Sequence, residues 1–518
     1  MLKLPVDIST FSELITSHYV YVDKTQYVYN MITGGRRFFL SRPRRFGKSL
    51  LVSTLKEVLT ANKAIFNGLW INSSDYSWQE YGVINLDFST FTAQNVTTFQ
   101  EGLRSELSTI AQDYNVVIDP TIKDASVLLK KLVSELFKRF GRVAILVDEY
   151  DSPILKTLHN ESLSKEIRDT IQHFFTTIKG LDAQVQFAFI TGVSSFAKAG
   201  LFSGINNLRI MTLDDQYAAI CGYTDTEVDH YFADYITEWA HKENNTHQEI
   251  RQHIKKWYNG YHFGENVVSV YNPFSLMNAL NSKKFENFWF QSGTPTFLVE
   301  LLKKQSSSFD IEEFEISKDF LGMFDVGNIP TLALMFQAGY LTIISYDADL
   351  QLYKLDYPNE EVRVSFQKYL LEVFAHISPF DADRMSRELR VAFIKCDIEK
   401  VVAILRQLFA HVPYQLHMQQ EKYYHSLLMM ICIGAGIKAQ SEYSTSHAQI
   451  DLVLEFPKII HVIEVKFNKT AEEALAQIEE RRYYERFIKE GKEIMLLGLA
   501  FKREPSVFDI TYALKQLQ

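Results

Sequence analysis

Continuous apolar runs alternate with helical patterns over the first 215 residues of the chain. Four such runs, the pattern of strands buried on both faces of a sheet, lie at 38–40, 82–89, 143–147 and 185–193. Helical periodicity fills the intervals at about 98–114, 124–140 and 162–180, and 208–213 is a further strand candidate. Strands that alternate with helices predict a parallel, doubly wound α/β sheet.

The first apolar run leads into a loop and then a helix, in the segment FFLSRPRRFGKSLL (38–51). Gly47, Lys48 and Ser49 open the helical pattern, and a strand, a loop and GKS before a helix form the context of a phosphate-binding loop. Backbone N–H groups and the helix N-terminus present positive potential to a triphosphate such as ATP. Lys48 would contact its β- and γ-phosphates, and the Ser49 hydroxyl would take a Mg²⁺ position.

The loop departs from the usual pattern, because Arg42 stands where the first glycine is expected. This substitution leaves two alternatives open, an accidental GKS helix start and a vestigial nucleotide site. Arg44 and Arg45 also lie in the loop. They are candidates for phosphate contact, or for pairing with a neighbouring acid.

A second motif follows the strand in RVAILVDEYD (142–151). Asp148 and Glu149 end an apolar run, and ligands of parallel sheets bind at the carboxyl ends of the strands. Asp148 would hold Mg²⁺, and Glu149 would polarise the attacking water. Thr191, near the end of the next strand, is a candidate for contact with the γ-phosphate or the water. The alternative for the acids is a solvated strand end.

Composition narrows the class of protein. At 518 residues the chain is long enough for two to four domains, and a hydrophobic fraction of 47% is ample for large cores. Three isolated cysteines predict neither a disulfide framework nor a zinc site. The N-terminal residues show no signal pattern, and the longest weakly polar run is too short to span a bilayer. A cytoplasmic protein without a membrane segment is predicted. The net charge of −9 argues against nucleic-acid binding by the whole surface, but not against a local basic groove.

The middle of the chain is helical and aromatic, and then contains a helix, two strands and a tight turn. This order predicts a helical lid and a winged-helix-like module. We expect three domains, at 1–215, 216–365 and 366–518. The last would hold a helical bridge and a second α/β domain.

A second candidate site lies in the segment IDLVLEFPKIIHVIEVKF (450–467). Two apolar strands flank a short Pro-Lys turn, so a hairpin is predicted, and it brings Asp451 beside Glu464. Lys466 lies two residues after Glu464, on the same face of the strand. Two carboxylates with a lysine beside them would bind one or two Mg²⁺ ions, or Mn²⁺, and hydrolyse a phosphodiester. The Val465 carbonyl would supply a further ligand. The alternative is a polar edge strand with a surface ion pair.

Two flanking helices offer supporting residues. His425 would add a metal ligand, although a single histidine on a helix is more often structural. Gln477, on the helix after the hairpin, would orient Lys466 or the nucleic-acid backbone.

These motifs together resemble a bacterial family that pairs an N-terminal AAA-ATPase-like domain with a C-terminal PD-(D/E)XK nuclease-superfamily domain. The resemblance rests on YVDKT (21–25), FLSRPRRFGKSLL (39–51), VDEYDSPI (147–154), CGYT (221–224), WYNGYHFG (257–264), YNP (271–273) and the SEY…IDLVLE…IEVKF block. It implies a P-loop NTPase core followed by a restriction-endonuclease-like domain. The last block is similar to the RecB-like branch, in which His425, Asp451, Glu464, Lys466 and Gln477 fill the site positions.

The resemblance implies ATP and Mg²⁺ as cofactors, and DNA as the partner. We expect an ATPase that controls a DNA nuclease in the same chain. The alternative is an ATP-dependent switch or scaffold whose C-terminal domain binds nucleic acid or protein without cutting. A homo-oligomer or a protein partner stays open.

Overall fold

The computed structural model describes most of the chain, in segments separated by gaps. The described residues are 1–158, 160–195, 200–202, 205, 207–265, 268–291, 315–321, 330–366, 379–410, 424–425, 428–429, 431–432, 435, 437–444, 449–504 and 507–517. They fall into two compact units, one mainly of residues up to Glu361 and one mainly of residues from Val362 on. The predicted domain limits at 215/216 and 365/366 stay predictions.

A five-stranded parallel sheet forms the centre of the first unit. Its strands are β1 (Arg37–Ser41), β2 (Gly82–Asp87), β3 (Val143–Asp148), β4 (Val185–Gly192) and β5 (Arg209–Ile210). They are arranged in the order β2-β3-β4-β1-β5, and every neighbouring pair is parallel. Every residue of β1 and β3 is buried, as expected for strands covered on both faces. The predicted parallel α/β sheet is confirmed.

Helices connect these strands and cover the sheet. They are α1 (Phe11–Thr16), α2 (Thr25–Gly34), α3 (Lys48–Leu59), α4 (Val96–Asp113), α5 (Ala125–Phe140), α6 (Ser152–Thr157) and α7 (Glu161–Gly180). Helix α5 illustrates the helical spacing of apolar residues, because its leucines at 128, 129, 132 and 136 lie on one face and are buried. Gly141 ends this helix at a positive φ of 69°.

A helical layer with its own apolar core follows in the first unit. It consists of α8 (Asp225–Tyr231), α9 (Ala233–Glu243), α10 (His247–Tyr258), α11 (Pro273–Ser282) and α12 (Phe288–Gln291). A two-stranded ribbon, β6 (Tyr261–His262) with β7 (Ser269–Val270), lies between α10 and α11 in the sequence. Trp239 and Phe232 are fully buried in the core of this layer.

A small antiparallel sheet completes the first unit. Its strands are β8 (Glu315–Ser317), β9 (Thr342–Asp347) and β10 (Leu352–Asp356), in the order β8-β10-β9. Two helices accompany it, α13 (Lys318–Leu321) and α14 (Thr331–Ala338). The predicted helix, strand pair and turn are therefore present, whereas their assignment as a winged helix stays a prediction.

The second unit is built on a mixed five-stranded sheet. Its strands are β11 (Lys438–Ser444), β12 (Gln449–Glu455), β13 (Ile459–Phe467), β14 (Glu493–Glu504) and β15 (Val507–Leu517), paired in sequence order. Only the β13–β14 pair is parallel, and α17 (Ala471–Arg481) makes the connection that such a pair requires. Helices α15 (Pro379–Ile394) and α16 (Ile398–Ala410) pack on this sheet through an apolar cluster.

Candidate functional site

The GKS loop connects β1 to α3 at the carboxyl end of the parallel sheet. Gly47 precedes the helix with φ +90°, a conformation that a residue with a Cβ rarely adopts. Arg45 also has a positive φ, of 65°. The loop therefore bends sharply at two points and leads directly into the N-terminus of α3, where phosphate groups bind in proteins.

Lys48 is buried at the centre of this loop. Its Nζ donates hydrogen bonds to the carbonyl oxygens of Arg42 and Pro43, each 3.1 Å away. The same nitrogen lies 3.5 Å from Glu149 Oε1. The lysine side chain thus joins the loop to the acidic end of β3, and its contact with phosphates stays a prediction.

Asp148 ends β3 and is 5% exposed. Burial raises the pKa of its carboxyl group to about 6, and a hydrogen bond with Ser49 acts in the opposite direction. The structure therefore brings the two residues predicted to bind Mg²⁺ close to each other. Their donor set, a hydroxyl and a carboxylate, consists of the hard oxygens that Mg²⁺ prefers.

Glu149 has a left-handed backbone with φ 49°. A non-glycine residue in this region carries conformational strain, and such positions are concentrated at functional sites. The turn directs the Glu149 carboxylate toward Lys48. Asp148 and Glu149 are adjacent in sequence and contact different partners, as expected for separate roles.

The side chain of Arg42 lies in the protein interior. Its Nη1 donates to the carbonyl oxygens of Ser41 and Thr212, both at 2.9 Å, and its Nη2 donates to that of Tyr217 at 3.0 Å. The guanidinium also lies 4.2 Å from the centre of the Phe263 ring. Burial lowers the pKa of Arg42 to about 10. The arginine that replaces the expected glycine thus holds the base of the loop.

Thr191 lies inside the sheet. It is fully buried, and its hydroxyl donates to the Leu40 carbonyl oxygen at 2.8 Å. Contact with a γ-phosphate would require this bond to break.

A cavity of about 520 Å³ adjoins the loop. Arg44, Arg45 and residues 46–51 line one side, and the Arg45 guanidinium lies 4.7 Å from the centre of the Phe274 ring. The lining also includes apolar side chains, those of Val6, Ile8, Val22, Ile220, Tyr223, Phe274 and Met277. The cavity therefore joins a phosphate-binding loop to apolar side chains.

Sequence analysis missed two carboxylates near this loop. Asp151 is fully buried, and its Oδ2 accepts the backbone N–H groups of Val193 and Ser194 at 3.1 and 2.6 Å. It therefore fixes the segment after β4, and its position in VDEYD was the available signal. Asp87 ends β2 in register with Asp148 and lines the cavity. The only signal for Asp87 was its place after an apolar run.

In the second unit, the predicted hairpin forms from β12 and β13. The pairing of Leu452 with Ile463 places the preceding residue, Asp451, beside the following one, Glu464. Asp451 Oδ2 accepts the backbone N–H of Val465 at 2.8 Å. This bond fixes one carboxylate across the end of the hairpin, near the carbonyl group of Val465.

Glu464 and Lys466 form a buried pair on β13. Their side chains are 1% and 8% exposed, with Lys466 Nζ 2.9 Å from Glu464 Oε1. Gln477 on α17 donates from Nε2 to the same Glu464 oxygen. The alternative of a polar edge strand with a surface ion pair is wrong, because the pair is buried and β13 lies between β12 and β14.

His425 also lies at this site, where its Nε2 contacts the main-chain oxygen of Asp451. The structure thus brings together Asp451, Glu464, Lys466, Gln477 and His425. The two carboxylates and the main-chain carbonyl are oxygen donors that fit Mg²⁺. Among the described residues, no group of three or more His, Cys, Asp or Glu side chains has the arrangement of a metal site.

Within the described segments, no helix is both long enough and apolar enough to cross a bilayer.

Comparison with protein-family models finds two matching segments of the chain. Residues 5–202 match a family described as predicted AAA-ATPase, and residues 419–509 match the PD-(D/E)XK nuclease superfamily. The first match includes the GKS loop and Asp148, and the second includes Asp451, Glu464 and Lys466.

One curated relative is similar over nearly the whole chain. It is an uncharacterized protein in the vnfD 5′ region of Azotobacter chroococcum mcd 1, with 35% identity over 516 residues and 97% coverage of both chains. Among solved structures, the Orc1 protein of Aeropyrum pernix in complex with DNA matches at 9% identity and a TM-score of 0.25, over 67% of this chain and 91% of that one. That likeness is too low to carry an argument. The 35% identity over nearly the whole chain shows a shared family. This chain, in which a segment of the predicted AAA-ATPase family precedes one of the PD-(D/E)XK nuclease superfamily, therefore belongs to the same family as the Azotobacter protein.

Proposed function

We propose that this protein binds and hydrolyses ATP, and that its nucleotide state controls a Mg²⁺-dependent DNA nuclease in its second unit. The observation that carries the proposal is the buried Glu464–Lys466 pair beside Asp451. A glutamate 1% exposed and a lysine 8% exposed form an ion pair whose burial costs free energy, so a functional reason is expected for it. Hydrolysis of a phosphodiester needs both groups there.

Each residue of the nuclease site has a distinct task. Asp451 and Glu464 would hold the metal, with the Val465 carbonyl as a further ligand and His425 beside them. When bound, Mg²⁺ or Mn²⁺ would stabilise the charge that develops on the phosphate and lower the pKa of a bound water. Lys466 would place its charge at the scissile phosphate or the attacking water. Gln477 would keep the Glu464 carboxylate in the required orientation.

The phosphate-binding loop would supply the nucleotide site. Lys48 would contact the β- and γ-phosphates, with Arg44 and Arg45 along the same side of the cavity, and Ser49 and Asp148 would hold Mg²⁺. Glu149 would accept a proton from the attacking water, because its strained backbone places the carboxylate beside Lys48. Thr191 would contact the γ-phosphate or the attacking water only after its hydroxyl had left the Leu40 carbonyl oxygen.

The cavity provides room for the rest of a nucleotide. Its volume of about 520 Å³ lies within the range of small-molecule sites. Phe274 and Met277 offer an apolar surface to a base, and residues 5–9 line the same cavity. Arg42 does not oppose this function, because its side chain lies in the interior.

The test is cleavage of linear, circular and single-stranded DNA with Mg²⁺ or Mn²⁺, in the presence and absence of ATP. Wild type is compared with Lys466→Ala and Lys48→Ala. Two matched controls are available: Lys458→Ala changes an exposed lysine in the hairpin turn, and Lys56→Ala changes an exposed lysine on α3. EDTA should abolish cleavage in every case.

We expect Lys466→Ala to abolish cleavage and Lys48→Ala to remove its dependence on ATP, with both controls unchanged. Cleavage that Lys466→Ala leaves intact would contradict the assigned site. No cleavage by wild type, together with ATP binding, would favour the alternative of an ATP-dependent switch or scaffold that does not cut. Cleavage that ignores both ATP and Lys48→Ala would make the nucleotide site vestigial.

A further inference from the structure

Trp289 contacts the phosphate-binding loop from outside the cavity. Its indole Nε1 donates a hydrogen bond to the carbonyl oxygen of Arg44 at 3.1 Å. The described residues that line the cavity include Arg44 but not Trp289. The tryptophan therefore reaches the loop from a side that a bound nucleotide would not occupy.

Close packing holds this contact in place. Trp289 is 5% exposed, and its ring meets that of Tyr340 edge-to-face at 5.2 Å. Gly339 lies between the ring and the loop: a Cβ there would be 2.7 Å from Pro43 Cβ and 3.2 Å from the Trp289 ring. Glycine at this position, with φ +92°, is thus what allows the ring and the loop to approach each other.

The backbone N–H of Trp289 is bound to a buried carboxyl group. Its backbone N–H donates to Glu361 Oε1 at 2.7 Å, and Glu361 is fully buried. Residues 360–366 are helical, and the second compact unit begins within them at Val362. Two hydrogen bonds therefore connect the Arg44 carbonyl of the loop to the helical turn through which the chain enters the second unit.

We infer that Trp289 is a positioning residue that reports the state of the phosphate-binding loop to the helical residues 360–366. The inference rests on the proposed function and names the route of its nucleotide control. We assign the loop arrangement held by the Trp289–Arg44 hydrogen bond to the nucleotide-bound state. Coupling between the loop and the helical residues is reciprocal, so loss of the bond weakens nucleotide binding as well as the response of the helix.

The test compares Trp289→Phe with Trp239→Phe. Phenylalanine at 289 keeps an aromatic ring against Tyr340 and removes the N–H donor. Trp239 is the matched control because it is also buried and donates its indole N–H, at 2.8 Å, to Glu243 in the helical layer. Two quantities are measured: the Kd for radiolabelled ATP by equilibrium dialysis, and amide hydrogen exchange of residues 360–366 with and without ATP.

We expect ATP to slow exchange at 360–366 in wild type and in Trp239→Phe. In Trp289→Phe this difference should vanish and the Kd should rise roughly fivefold, the effect of one lost hydrogen bond. Glu361→Ala breaks the connection at its far end, and should remove the exchange difference with less effect on the Kd. Unfolding midpoints verify that each variant is folded, and a structural role alone would shift them without affecting the response to ATP.

An exchange difference that survives in both Trp289→Phe and Glu361→Ala would overturn the inference. Failure of the proposed function has a different signature, because wild type would then not bind ATP in the dialysis. If wild type binds ATP but amide exchange at 360–366 does not change, the nucleotide site would be supported and the connection through Trp289 would be refuted.

Discussion

The guanidinium of Arg42 donates to the carbonyl oxygen of Tyr217, 175 positions later in the sequence. Two further carbonyl groups accept from the same side chain, and one of them belongs to Thr212. Arg42 thus ties the base of the phosphate-binding loop to the segment that follows β5. An arginine in place of the expected glycine is therefore a structural part of this loop.

Arg42→Gly should destabilise the first unit without improving nucleotide binding. Three carbonyl oxygens would lose a buried partner, and a cavity would remain where the side chain lay. We expect a loss of about 3 kcal/mol in the free energy of unfolding and an ATP Kd no better than that of wild type. Urea denaturation and equilibrium dialysis measure the two. Arg44→Gly is the control for stability, because Arg44 is exposed on the same loop. A gain in ATP affinity for Arg42→Gly would support the vestigial-site alternative.

Glu149→Gln should separate nucleotide binding from hydrolysis. The amide keeps the shape of the side chain and loses its capacity to accept a proton, so hydrolysis should slow by roughly 100-fold or more. The ATP Kd should change little. Phosphate release and dialysis report these two quantities, with Glu161→Gln, an exposed substitution on α7, as the control. A hydrolysis rate within twofold of wild type would exclude Glu149 as the base.

The sequence was informative wherever a residue's partners lie nearby along the chain or along one strand. The apolar runs of β1, β3 and β4 specified buried parallel strands. The Pro-Lys turn placed Asp451 beside Glu464, because an antiparallel hairpin fixes its own register. Both inferences depend on strand periodicity, which a sequence displays directly.

Side-chain directions that depend on distant partners were beyond prediction. The sequence allows the Arg42 side chain to point either into the cavity or into the interior. The carbonyl oxygen of Tyr217, which accepts a hydrogen bond from it, holds it in the interior. Asp151 looked like one of several acids in VDEYD, whereas Val193 and Ser194 make it a structural acceptor. Thr191 lies near the end of β4, as expected, but its hydroxyl donates a hydrogen bond to the carbonyl oxygen of Leu40 on the neighbouring strand. In each case the deciding group belongs to another element.

Gln477→Ala should weaken metal binding at the nuclease site while the fold is retained. Gln477 donates to the same Glu464 oxygen as Lys466, so its loss frees the carboxylate to rotate. Partners of metal ligands typically contribute about 10- to 100-fold to metal affinity or activity. Initial cleavage rates across a Mg²⁺ titration would show the higher requirement, and Glu480→Gln, an exposed change on the same helix, should leave it unaltered. An unchanged Mg²⁺ requirement would assign Gln477 to packing alone.

Glu361 should make the first unit less stable at alkaline pH. Burial raises the pKa of its carboxyl group from the ordinary 4.5 to about 8, although the Ser275 side chain and the backbone N–H of Trp289 act in the opposite direction. Between these two values the folded protein binds more protons than the unfolded chain, so the free energy of unfolding falls as pH rises through this window. Each unit of difference corresponds to about 1.4 kcal/mol, and the slope ends above the folded pKa. Glu361→Gln cannot ionise, so its stability should decline less than that of wild type between pH 5.5 and about 8.5. Urea midpoints across this range measure the difference, with Glu101→Gln, an exposed glutamate on α4, as the control. Parallel pH profiles for wild type and Glu361→Gln would show that the buried carboxyl group does not titrate on unfolding.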